Sequence, residues 1–210
     1  MRSKIVQDGQ KKKTSFIEEA RRRQIVEGAI STIASAGLSQ ASLARIAQDV
    51  GVSKGVISYH FAGKDELIQQ VINALFTETN RFIKARVDRA PDAPRRLRAF
   101  IEASFEFMAA NRANFVTLVD IWGSFGSPEA KRRFNADMYD PCRHHLEGIL
   151  RRGQESGDFR DFSPATLAAT VQGAIDGVML QWVFDEEAID LADCAAELVT
   201  MFDLATRRRA

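Results

Sequence analysis

Apolar residues recur at helical spacing along nearly the whole chain, and β-branched runs are scarce. The sharpest stretch is 43–62, LARIAQDVGVSKGVISYHFA. Leu43, Ile46, Ala47 and Val50 fall at i, i+3, i+4 and i+7, one stripe on a short helix. Ser42 stands where a hydroxyl caps that helix, and Gly51 where a left-handed residue closes it. Ser53 is the next cap, and Val56, Ile57 and Phe61 give a second short helix its inner side. The pattern is that of a helix-turn-helix, whose second helix enters the major groove; an ordinary helical hairpin in a core is the plain alternative.

The elements on either side follow the same logic. Ile25, Val26, Ala29, Ile30 and Ile33 predict a first helix over 15–36, with Ser15 and Glu18 as a capping box and Gly37 as its end. Gly63 breaks the chain, and a long helix over 64–89 buries Leu67, Val71, Leu75 and Phe82. Five more helices are expected over 93–110, 112–123, 127–156 (bent at Pro141), 163–186 and 189–206. Ser127-Pro128 and Ser163-Pro164 are start signals, with Pro at the first helical position. The expectation is an all-α protein of about nine helices: a basic flexible arm over 1–14, a three-helix helix-turn-helix DNA-binding domain over 15–63, and a larger helical domain over 64–210.

Composition adds little until it is divided along the chain. With 45% hydrophobic and 27% charged residues, it is that of an ordinary globular protein. No stretch approaches the roughly 18 apolar residues of a membrane span, and the N-terminus lacks the apolar run of a secretory signal. Two cysteines, Cys142 and Cys194, fit reduced thiols and a cytoplasmic setting. The net charge of +1 hides an asymmetry: residues 1–64 carry about +6 and residues 65–210 about −5. A basic first third points to a polyanion, although basic tails also serve solubility alone. Arg2, Lys4 and Lys11–Lys13 in the arm, and Arg21–Arg23 near the first helix start, are placed to meet phosphate, or else to be idle and solvated.

Catalytic chemistry finds no constellation. His144 and His145 beside Cys142 are the one tempting cluster, but adjacent histidines point about 100° apart on a helix, and no third orienting residue is identifiable. No enzyme activity, metal or cofactor is expected. Aromatics crowd the middle helices: Phe105, Met108, Phe115, Trp122 and Met138, with Asp120, Gln172 and Asp176 as polar groups beside them. Such a set suits a ligand pocket, and aromatics with Asp120 suit an organic cation; the simpler reading is core. The last two long helices carry more apolar face than one core needs. Val171, Ile175, Val178, Met179 and Trp182 on one, and Leu198, Val199 and Phe202 on the other, are expected to form a subunit interface.

A first helix followed by SLARIAQDVGVSKGVISYHFAGKDEL, with Phe61, Lys64 and Leu67 at the F-x-x-K-x-x-L junction, resembles the TetR family of bacterial transcriptional regulators over about residues 16–70. Weaker likeness to the family's ligand-binding and dimerising half lies in RRGQESGDF and in the two last helices. The resemblance implies a homodimeric regulator, usually a repressor, bound to double-stranded operator DNA of near-palindromic sequence and released by a small-molecule effector. Lys54, Gly55, Val56 and Tyr59 match positions where the family meets DNA. Ser42, Ser53, Ser58, His60 and Lys64 join them as donors to phosphate or base edges. Ser58 departs from the family, which often has tyrosine there, and His60 equally packs beside Phe61. A helical carrier or enzyme on the same fold, and an architectural DNA-binding protein without effector, are the other two readings.

Overall fold

The computed structural model describes residues 2–208, with side chains from Phe16 onward. The side chains of the arm lysines, Lys11–Lys13, and of Ser15 therefore lie outside the described residues, as does Arg209. Among the described residues every regular element is helical, and the chain packs as two units, Met1–Ala74 and Leu75–Ala210.

The first unit holds α1 (Arg2–Ala36), α2 (Leu43–Val50), α3 (Lys54–His60) and the opening turns of α4 (Lys64–Val87). α1 is drawn from Arg2, so no helix start falls at Ser15; 2–14 is rich in fair helix formers and contains no proline. Ile25, Val26, Ala29 and Ile33 of α1 are buried with Ile46 and Ala47 of α2, Ile57 and Phe61 around α3, and Leu67 and Val71 of α4. Because Leu67 and Val71 bury here, the division between units falls inside α4, later than the break expected at Gly63. Gly51 closes α2 in the left-handed region at φ 74°, with Val52 N donating to Ala47 O at 2.9 Å. Thr32 Oγ1 donates to Asp49 Oδ2 at 2.9 Å, tying α1 to α2.

The second unit is a bundle of α5 (Ala93–Ala110), α6 (Arg112–Ser124), α7 (Pro128–Phe134), α8 (Asp140–Glu155), α9 (Pro164–Phe184) and α10 (Leu191–Thr206), with the rest of α4. α5 packs on α8 and α10, α8 on α9, and α6 on α9. The helix expected over 127–156 is two helices joined by a π-turn, Asn135–Tyr139. Pro141 has no N–H for the carbonyl four residues back, and the widened turn lets Asp140 N reach Asn135 O instead. The loop between α8 and α9 is pinned to α10 by Arg160 N donating to Thr206 O at 3.0 Å.

The faces of α9 and α10 are the main correction. Val171, Ile175, Met179, Trp182, Leu198, Val199 and Phe202, expected at a subunit contact, are buried in the core of the single chain, and Val178 packs against that core. The apolar residues left outside are Leu180, Phe184, Met201 and Leu204. Both helices are apolar on two sides, and one side of each fills the core of the chain. α9 is also long and apolar enough by length and composition to cross a membrane, although only 28% of its most apolar window is buried. The expectation that no stretch approaches such a span does not hold for this helix.

Gly28 fixes how closely α1 and α2 approach, since a Cβ there would lie 2.0 Å from Val50 Cγ2. Elsewhere in a helix Gly→Ala gains about 0.5–1 kcal/mol. Gly28→Ala should instead destabilise by about 1–3 kcal/mol through overpacking, read as a lower melting temperature.

Candidate functional site

Two places carry chemistry, one in each unit. The first is the outer face of α3. The only buried residue of this seven-residue helix is Ile57. Lys54, Gly55, Ser58 and Tyr59 are exposed and Val56 is half-buried, so these expected DNA contacts are open to solvent, Val56 in part. Tyr59 is 75% exposed, and its hydroxyl donates to Glu18 Oε1 at 3.3 Å. Ser42 and Ser53 act first as caps: their oxygens accept from Arg45 N at 3.2 Å and Val56 N at 3.3 Å. Each hydroxyl proton stays available to an outside acceptor.

Two of the expected phosphate donors turn inward. Lys64 Nζ donates to Leu38 O at 2.7 Å. The half-buried His60 ring stands edge-on between Tyr59 and Phe61, with centroids 5.0 and 6.4 Å away. Of the three arginines near the start of the expected first helix, Arg22 reaches back to the end of α3, while Arg21 and Arg23 are exposed.

The second place is a cleft of about 720 Å³, counting its mouth. Leu75, Phe76, Thr79, Asn80 and Ile83 of α4 form one wall, and Gln172, Ile175, Asp176 and Met179 of α9 face into it. Phe100, Ser104 and Met108 of α5, Asn114, Phe115 and Leu118 of α6, and Tyr139 and Cys142 complete it. Of the expected effector residues, Met108, Phe115, Gln172 and Asp176 line this cleft. Phe105 is core. Asp120 is exposed on α6 and is not part of the lining. Trp122 and Met138 are not in the lining either: Trp122 stacks on Tyr139 and meets Phe134 edge-on. A helical stripe cannot say which of two neighbouring acids turns inward, so the carboxylate of the cleft is Asp176 and not Asp120.

Asp176 is the charged group of the cleft lining. Burial raises its pKa to about 6, opposed by hydrogen bonds from Gln172 and the Tyr139 phenol; Gln172 Nε2 donates to Oδ1 at 2.9 Å. Burial also raises the Tyr139 phenol and the Cys142 thiol, so both are neutral donors here. Cys142 Sγ donates to Asn80 Oδ1 at 3.1 Å. Tyr139 was missed in the sequence; its signal was its place two residues before Pro141, where the π-turn changes its direction. The histidines beside Cys142 diverge: His144 Nδ1 lies 2.7 Å from Asp140 O, while His145 packs at Phe100. Among the described residues no three His, Cys, Asp or Glu side chains form a metal-sized group.

Comparison with known proteins follows this division. Residues 25–71 match the family described as bacterial regulatory proteins, tetR family. Residues 93–203, just over half the chain, match the BetI-type transcriptional repressor C-terminal family. The HTH-type transcriptional regulator BetI 1 of Chromohalobacter salexigens is 29% identical over 180 residues, 83% of this chain and 85% of that protein. BetI of Pectobacterium atrosepticum is 29% identical over 174 residues, covering 79% and 83%. Among solved structures, a transcriptional regulator from Pseudomonas aeruginosa PAO1 superposes with a TM-score of 0.77 at 28% identity, over 88% of this chain and 89% of that one. One from Saccharomonospora viridis, solved in complex with choline, gives 0.80 at 24% identity, over 91% and 100%.

Asp176 carries a prediction of definite sign. Its pKa is higher folded than unfolded, so the folded state binds the proton more tightly, and stability falls as pH rises from about 4 through about 6. Asp176→Asn should therefore stabilise the ligand-free protein by about 1–3 kcal/mol at pH 7.5, with the gain vanishing below about pH 4, in denaturant titrations at both pH values.

Proposed function

This chain belongs to the TetR family of bacterial regulatory proteins, with a C-terminal domain of the BetI type, and from that footing we propose that it is a cytoplasmic homodimeric repressor, released from a near-palindromic operator by a small organic cation. The observation that carries the DNA-binding part is the open face of α3. Gly55 is the most telling residue on it. A Cβ there would meet nothing nearer than Ser53 Oγ at 3.6 Å, and its backbone is not left-handed. The fold does not require glycine, which disfavours a helix by about 1 kcal/mol relative to alanine. An outside surface that must come close, such as a DNA backbone, does require it. Lys54 beside it suits a guanine edge or phosphate, Val56 a thymine methyl, and Ser58 and Tyr59 phosphate oxygens. Ser42, Ser53, His60 and Lys64 support that surface.

The dimer is assigned to the exposed apolar side of α9 and α10, with Leu180, Phe184, Met201 and Leu204. Two such helices from each subunit make a four-helix bundle. Dimerisation would set the two copies of α3 about 34–36 Å apart, in successive major grooves.

The effector reading rests on the cleft itself. Asp176 is half-buried among apolar walls that include Phe76 and Tyr139. A cation between aromatic faces and a carboxylate gains from both and removes the charge imbalance that burial creates. The choline of the Saccharomonospora viridis structure is of that chemical kind, although that protein shares only the fold.

The double variant Lys54→Ala/Tyr59→Ala should lose operator binding in fluorescence anisotropy while remaining a dimer; unchanged DNA affinity would refute the assignment. Gly55→Ala should raise the melting temperature and weaken the operator complex together. Phe184→Lys with Leu204→Glu should give a folded monomer by size-exclusion chromatography with light scattering, since both side chains lie outside the core of the chain.

A further inference from the structure

The end of α3 is held by an arginine from another helix. The Arg22 guanidinium of α1 donates to the His60 backbone oxygen, the last carbonyl of α3. Its carbon lies 4.4 Å from the centroid of the Phe61 ring, over its face. Its other nitrogen pairs with Glu66 Oε1 at 3.6 Å, and Glu66 Oε2 accepts from Ala62 N at 2.6 Å. One cation thus meets a helix-terminal carbonyl, an aromatic face and a carboxylate that itself holds the next backbone amide. The His60 oxygen is one of the carbonyls that a helix end leaves without an internal partner, and a cation is favoured there. The ion pair alone counts for little at this exposure; the carbonyl bond and the stacked ring make the arrangement directional.

We infer that Arg22 is a positioning residue for DNA recognition: it sets the angle of α3 on α1 by clamping the α3–α4 joint, and does not bind phosphate. This rests on the DNA-binding reading above. It also differs from both expectations for Arg21–Arg23, contact with phosphate or an idle, solvated face. Lys64, bonded to Leu38 O, ties the start of α4 to the turn after α1.

The test compares wild type, Arg22→Gln and Arg22→Lys, first on operator and on unrelated DNA over a range of salt. Arg22→Gln should weaken the operator complex about tenfold, as loss of a charged hydrogen bond does. Affinity for unrelated DNA and the slope of log K against log salt should stay unchanged, and Arg22→Lys should recover part of the loss. A slope smaller by about one, with both DNAs weakened alike, is the signature of a lost phosphate contact and would overturn the inference; so would no change on either DNA. Hydrogen exchange of the Phe61–Lys64 amides gives a readout without DNA. Arg22→Gln should speed it while amides of α2 are unaffected, and Arg22→Lys serves if the glutamine variant does not fold. Unchanged exchange in these amides would overturn the clamp. Failure of wild type to bind any operator would instead sink the DNA-binding reading, leaving the clamp to be judged by exchange.

Discussion

A helix of seven residues cannot hold itself together in water, because nucleation costs more than so few internal hydrogen bonds return. α3 is such a helix, and the architecture of the first unit follows from the need to hold it from outside. Its single buried side chain is Ile57; α3 packs on α2, and α1, α2 and α4 each contribute almost wholly buried side chains to the same unit. Its start is capped by Ser53 and its end by Phe61 N and the Arg22 guanidinium. Anchoring by one residue leaves Lys54, Ser58 and Tyr59 exposed along the helix, as the proposed DNA-binding role needs.

The second unit answers a different constraint. A carboxylate in an apolar cleft is unstable as an anion, and Asp176 is eased by hydrogen bonds from Gln172 and Tyr139 and by the charge of Arg143, which together do not offset its burial. The link from cleft to α3 is α4, a continuous helix whose residues belong to both units. Leu75, Phe76 and Asn80 of that helix line the cleft, and Leu67 and Val71 are buried in the first unit. On the proposed function, the continuity of α4 would carry a ligand's preference for one placement of the cleft wall, limited by its differential affinity for the two placements.

Much of this was legible in the chain. The stripes of α1 to α4, the caps Ser42 and Ser53 and the closing Gly51 are local signals, and local signals survive folding. What depends on the third dimension was not. On α9 and α10 apolar residues occupy both sides, so periodicity grouped Val171, Ile175 and Met179 correctly on one face without saying that the face was inner. Asp120 and Asp176 both sit beside apolar stripes, and only packing distinguishes the exposed one from the buried one. Pro141 announced a bend, but not the π-turn that aims Tyr139 at the cleft. Cations were read as facing outward because most do; Arg22 and Lys64 bond backbone carbonyls, which leave no trace in a sequence.

The most direct measurement is an anisotropy titration of the wild-type protein on the intergenic DNA upstream of its own gene, at two salt concentrations, with and without a quaternary ammonium compound such as choline. Specific binding that steepens at low salt and is weakened by the cation is the predicted result. Binding to no DNA at low salt, with the dimer present, would contradict the account and favour a ligand carrier on the same fold.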